Sequence, residues 1–207
     1  MKMLLKEMKE KVFSLIEEYE PAAAHLAEDE DIINKVNGVI NSIQMDLMPY
    51  RPIPSSHTFE IDEDDSKVID LSTVEDIYQV TKIILNDINR KETYFTYIDE
   101  FHIKLDDDFV GTVDVYYHKI PTLCKTLFEG TESEIDEERA LEDEEYEFEI
   151  DAVLLEVMPY GVARDLLRLD MISQYGTYFE RTYNEKKQML DSRRTRGYIL
   201  IEGGDDI

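Results

Sequence analysis

Apolar residues recur every three or four positions at both ends of the chain and every second position in its middle. Leu4, Leu5, Met8, Val12, Leu15, Ile16 and Tyr19 predict an amphipathic helix over residues 3–19, with Lys and Glu on its other face and Pro21 ending it. A short link, Ala22-Ala23-Ala24, follows. The acidic cluster Glu28, Asp29, Glu30 and Asp31 suits the positive end of a helix dipole, and Ile32, Val36, Val39, Ile40, Ile43 and Leu47 predict a second helix that stops before Pro49.

The period then changes. Pro49, Pro52 and Pro54 lead into His57-Thr-Phe-Glu-Ile-Asp, which alternates as a strand does. Asp64-Asp65-Ser66 reads as a turn, and Lys67-Val-Ile-Asp-Leu as the return strand of a hairpin. Residues 78–85 predict a third strand, and Thr93-Tyr-Phe-Thr-Tyr-Ile, Phe101-His-Ile-Lys-Leu and Thr112-Val-Asp-Val-Tyr-Tyr predict three more. Five or six short strands with turn signals between them point to a small antiparallel β-barrel or sandwich.

Helical spacing returns at Ile150, with Val153, Leu154, Val157, Val162, Leu166 and Leu169; Pro159 inside this run predicts a kink or a restart. A last helix is expected from about Ile172 to Leu190, its apolar side carrying Tyr175, Tyr178, Phe179, Met189 and Leu190. The class is therefore α+β: about four helices, two N-terminal and two C-terminal, around an inserted antiparallel β-module. In residue numbers, the expected order is N-terminal helices at 1–48, the β-module at 49–122, an acidic loop at 123–149, C-terminal helices at 150–192 and a C-terminal arm at 193–207. No internal repeat is found.

Charge changes the picture more than length does. The 207 residues carry 48 Asp+Glu against 22 Lys+Arg, a formal charge of −26, while 43% of them are hydrophobic, enough for a core. Such a chain repels nucleic-acid phosphates and anionic membrane surfaces. The start of the chain meets charge too soon for a signal-peptide core, and no apolar run is long enough to span a bilayer, so a cytosolic protein is expected. Residues 129–151 hold 13 acidic side chains and a single basic one, Arg139. Charge that dense predicts a solvated loop or a weak exposed helix that buries little and can be deleted without unfolding the rest.

Candidate chemistry is sparse. His25, His57, His102 and His118 show no metal-ligand spacing, although His102 and His118 could be neighbours in a barrel. The clusters Asp62, Asp64, Asp65 and Asp106, Asp107, Asp108 lack the glycine and closing glutamate of an EF-hand and read as hairpin turns. Cys124 is the lone cysteine, with no nucleophile signature around it. No phosphate loop or hydrolase elbow occurs, so nothing argues for an enzyme or for a cofactor. Thirteen tyrosines without tryptophan fit half-wet seams and subunit contacts, although Tyr175, Tyr178 and Tyr183 read equally as core. Gly161 is expected to let two helices approach closely, unless it merely tolerates a restart after Pro159.

Two segments carry a resemblance. Leu154-Leu-Glu-Val-Met-Pro-Tyr-Gly-Val-Ala-Arg-Asp-Leu-Leu-Arg-Leu-Asp, followed by Tyr178-Phe-Glu-Arg-Thr-Tyr-Asn-Glu-Lys-Lys-Gln-Met-Leu, resembles the closing helices of tailed-bacteriophage head–tail connector (adaptor) proteins. Gly111-Thr-Val-Asp-Val-Tyr-Tyr-His-Lys-Ile-Pro is similar to the last strand of that family's inserted β-domain, and Ile33-Asn-Lys-Val-Asn-Gly-Val-Ile-Asn-Ser-Ile to its second helix. The order of elements matches over residues 3 to about 192, and the acidic stretch departs from it. The resemblance implies a structural subunit of the virion neck, made in the host cytoplasm and forming a ring, usually of twelve copies, beneath the portal protein. It would bind downstream tail or neck proteins and let DNA pass through its lumen unread, where an acidic wall prevents sticking.

From a different class, the charge also fits an acidic DNA mimic or other protein-binding inhibitor. For the connector role the expected interface is the tail: Arg193, Arg194 and Arg196 beside Tyr198, Ile199, Leu200 and Ile201. That run is too apolar and β-prone to stay exposed, so it is expected to join another subunit's sheet edge or to fold back on its own.

Overall fold

A computed structural model describes residues 3–19, 27–62, 68–86, 91–106, 109–169 and 173–194. The chain divides into two compact units, one formed by Met1–Arg51 with Thr122–Ile207 and the other by Pro52–Pro121.

The first unit is helical. Helix α1, Leu5–Tyr19, buries Leu5, Met8, Val12 and Ile16, the stripe its spacing predicts. Helix α2, Glu30–Leu47, starts at Asp29, whose carboxylate accepts from the backbone N–H groups of Asp31 at 2.8 Å and Ile32 at 3.3 Å. Helix α4, Ala152–Leu169, and helix α5, Ser173–Arg194, complete the core with Leu154, Met158, Val162, Leu166, Phe179 and Tyr183. Helix α4 runs unbroken through Pro159, so no restart occurs there. Proline forfeits one hydrogen bond, and buried Leu154, Leu155, Val162 and Ala163 on either side outweigh that loss.

The acidic loop expected over 123–149 is instead two ordered pieces. Residues 121–129 have no regular secondary structure, and Glu132–Glu145 form helix α3, making five α-helices among the described residues rather than about four. Glu134 accepts from the Thr131 N–H at 2.8 Å to cap the first turn. Three of its carboxylates meet cations from elsewhere in the sequence: Lys9 meets Asp143 at 2.6 Å, Lys6 meets Glu144 at 3.8 Å, and Lys125 pairs with Glu138. No side chain of α3 is buried, but Tyr146 and Phe148 just after it are core residues. Their backbones pair with the start of the chain, Leu5 N–H to Tyr146 O at 3.0 Å and Phe148 N–H to Met3 O at 3.1 Å. Through Tyr146 and Phe148 the stretch buries more than its charge predicts.

The segment 121–129 owes its place to α2. Asn37, Asn41 and Gln44 lie on one face of that helix and donate to the carbonyls of Lys125 at 2.7 Å, Cys124 at 2.8 Å and Thr122 at 3.0 Å. Asn41 also accepts from the Cys124 N–H at 3.0 Å, so one amide side chain stands in for a neighbouring strand.

Among the described residues the second unit holds seven strands in two antiparallel sheets. The strands are β1 Ile53–Ile61, β2 Val68–Asp70, β3 Ile77–Leu85, β4 Lys91–Thr93, β5 Phe95–Tyr97, β6 His102–Leu105 and β7 Gly111–Lys119. The orders are β1-β7-β3-β4 and β2-β6-β5, so the sheets do not close into a barrel. One cluster drawn from both sheets fills the core, including Ile69, Ile83, Ile103, Leu105, Val113 and Val115.

Two strand expectations are corrected. The hairpin expected from 57–71 does not form: β1 pairs with β7, Phe59 opposite Val113, while β2 pairs with β6. The run 93–98 is not one strand. It leaves the four-stranded sheet at Thr93 and joins the three-stranded sheet at Phe95, with the Tyr94 carbonyl accepting from Asp106 N–H at 3.1 Å.

Candidate interaction surface

On the β-unit, the loop from Leu71 to Ile77 and the turn before β6 frame an open cleft of about 440 Å³, lined among others by Val74, Glu75, Tyr78, Tyr97, Glu100 and Phe101. The turn is built by Asp99, whose carboxylate accepts from the Phe101 and His102 N–H groups at 2.9 Å each and from His102 Nδ1 at 2.8 Å. This bond to Asp99 raises the His102 imidazole above its ordinary value, and the same bond holds the Asp99 carboxyl below its own. Asp70 lies 3.9 Å from His102 Nε2 and is itself lowered by hydrogen bonds from Ser72. Opposite, the Tyr97 hydroxyl accepts from Val80 N–H at 3.0 Å, which fixes that ring at the edge of the cleft.

The cleft is open, and its lining mixes apolar side chains with Ser72, Glu75 and Glu100. Tyr78, Tyr97 and Phe101 keep 48%, 47% and 50% of their surfaces exposed. Among the described residues Glu75 and Glu100 have no partner, and no Lys or Arg lines the cleft. Such a surface suits a partner that brings apolar side chains and positive charge.

On the helical unit, the tightest polar cluster joins α2 to α5. Asp46 accepts from the Tyr183 hydroxyl at 2.6 Å and from Lys187 Nζ at 2.7 Å, and the Arg164 guanidinium lies 4.7 Å from the Tyr183 ring centre. Burial works against the Asp46 charge, but the bonds from Lys187 and Tyr183 outweigh it and lower the carboxyl. Burial pushes the Tyr183 phenol up, so it stays a donor. This cluster is structural: each of its charges is matched inside the unit. Cys124 is buried and pushed up to about 12 by burial, with Sγ 3.1 Å from Asn41 Oδ1.

Arg193 and Arg194 are the last residues of α5, which continues past the expected end at 192; Arg196, Tyr198, Ile199, Leu200 and Ile201 lie outside the described residues, as does His25. His57 is in β1 against Phe59, and His102 and His118 belong to different sheets. Tyr183 is fully buried, Tyr178 is exposed, and the Tyr175 side chain lies outside the description. Sequence reasoning missed the cleft. A signal was present: Phe101 directly follows Asp99 and Glu100, where an aromatic inside a turn has no strand face to occupy.

A comparison with protein-family models gives no match to the chain, and a comparison with curated proteins gives none either. Among the described residues no helix is long and apolar enough to cross a membrane.

Proposed function

We propose that the protein is a structural subunit of a phage or phage-like particle, a head–tail connector that assembles as a ring beneath the portal and lets DNA pass. The observation that carries this reading is the insertion of a two-sheet β-unit into a helical unit, between α2 and the segment leading to α3. It is the element order that the connector resemblance implies. The charge of −26 supports it, because a conduit for DNA works best when its wall repels phosphate. The ring would contain about twelve copies and bind the portal above and neck or tail proteins below, with the chain located in the virion. Incubating the purified chain with the portal protein and imaging by negative stain tests this: closed rings stacked on portals are expected, and portals that remain bare count against it.

One observation favours the second reading, an acidic mimic of DNA that blocks a basic groove. Helix α3 presents carboxylates along its length and buries no side chain. Stable capture of a monomer by a DNA-binding enzyme, with inhibition, would support the mimic in place of the connector.

A further inference from the structure

The cleft on the β-unit asks for an apolar, cationic occupant, and the rest of the described chain leaves few cations to spare. On the helical unit Lys9 is held by Asp143, Arg164 by Asp165 at 2.6 Å, and Lys187 by Asp46. The densest basic cluster in the sequence is Arg193, Arg194 and Arg196, and the run Tyr198-Ile-Leu-Ile follows it at once. Helix α5 ends at Arg194, and thirteen residues follow in the sequence, a length that spans roughly 40 Å when extended.

We propose that the cleft receives the C-terminal segment of a second copy of the chain. Arg194 and Arg196 lie against Glu75 and Glu100, and Tyr198, Ile199, Leu200 and Ile201 cover Tyr78, Tyr97 and Phe101. Four features support this pairing. Among the described residues the cleft has two unpartnered carboxylates and no cation, and the segment has three guanidiniums. A guanidinium can bind a carboxylate through two hydrogen bonds and also lie on an aromatic face, so both linings serve it. The apolar run needs cover, as do three adjoining aromatics. Among the described residues nothing covers those aromatics beyond about half, so they offer a second copy an open surface. The inference requires only that two copies meet, whatever particle or partner they serve.

The test uses two full-length variants, Glu75→Arg with Glu100→Arg, and Arg194→Glu with Arg196→Glu. All the changed side chains of the first variant are exposed, so circular dichroism should show both variants folded as the wild type. Sedimentation equilibrium is expected to show each variant alone associating at least tenfold more weakly than wild type. An equimolar mixture should regain association, because one tail then meets the cleft of opposite charge. Variants that self-associate as strongly as the wild type overturn the proposal. A wild-type chain that stays monomeric, while a labelled peptide of residues 193–207 fails to bind it, overturns it as well. Charge-swapped pairing in a chain that joins no portal keeps this inference and removes the connector reading. Portal-bound rings formed by both variants do the reverse.

Discussion

A Cβ built on Gly161 would lie 2.7 Å from Cε2 of Tyr183, and 3.0 Å from Cγ2 of Ile43. Helix α4 thus meets α5 and α2 at a point where only hydrogen fits, with the buried Tyr183 ring as the obstacle. The first prediction concerns its sign. Gly161→Ala should destabilise the helical unit by about 1–2 kcal/mol, since overpacking costs about 1–3 kcal/mol and the gain in helix propensity returns less than 1. Gly38 in α2 is the control, with nothing within 4 Å of the same atom, so Gly38→Ala should stabilise by about 0.5–1 kcal/mol. Urea midpoints for the pair should move in opposite directions. Equal shifts would show that the close approach does not matter.

Tyr183 also binds through its hydroxyl. Tyr183→Phe removes the 2.6 Å bond to Asp46 and leaves Lys187 as that carboxylate's partner. A bond to a charged group is worth about 1.5–3 kcal/mol, so a loss of about 1–2 kcal/mol is expected after Lys187 compensates in part. Because the folded Asp46 value is lowered, its contribution is full above the unfolded value near 3.8 and fades as the pH falls through the folded one. The wild type should therefore lose more stability on acidification than Asp46→Asn does, and chemical denaturation at several pH values checks it.

The turn beside the cleft titrates in the opposite sense. His102 is raised above 6.5 by Asp99, so its contribution is full below the unfolded value and is lost as the pH rises through the folded one. Asp99 is lowered and contributes above its unfolded value near 3.8, fading as the pH falls through the folded one. The pair is strongest between those limits. An NMR titration should place the His102 midpoint above 6.5 in the wild type and nearer to it in Asp99→Asn. An unchanged midpoint would falsify the assigned contact.

The strap along α2 makes a prediction about reactivity. Cys124 is buried, lies between Asn37 and Asn41 and is pushed up to about 12, so a thiol reagent should react only after unfolding. Asn41→Ala removes bonds to both backbone groups of Cys124 and should cost about 1–3 kcal/mol, raising the reaction rate in proportion. Deleting residues 129–149 should do more, because Tyr146 and Phe148 leave the core with it. A deletion chain that melts cooperatively near the wild-type midpoint would contradict the packing of that stretch.

What could be read from the sequence followed from local period. The stripe Leu5, Met8, Val12, Ile16 and the stripe Ile32, Val36, Ile40, Ile43, Leu47 need only the helical repeat to be seen, and both are buried. Gly161 stood out because glycine in an apolar helix has few other uses. Helix α3 was legible only as an alternative to a loop, since its cations Lys6, Lys9 and Lys125 lie far from it along the chain and a window of charge cannot count them. The partner of β1 was hidden for the same reason, as its register with β7 joins residues fifty or more positions apart. The sheet change at Tyr94 and the cleft near Phe101 depend on how two sheets face one another, which alternation along one strand does not encode. The tail residues Arg196 and 198–201 lie outside the described residues, so the sequence remains the source for them.

The central claim is that this chain is a ring subunit of a particle's neck. Cryo-electron microscopy of intact particles, with and without a bulky tag inserted within residues 63–67, addresses it most directly. The account predicts added density repeated with the symmetry of a closed ring between portal and tail. Tagged protein that is absent from the particles, or present there without a ring, would contradict it.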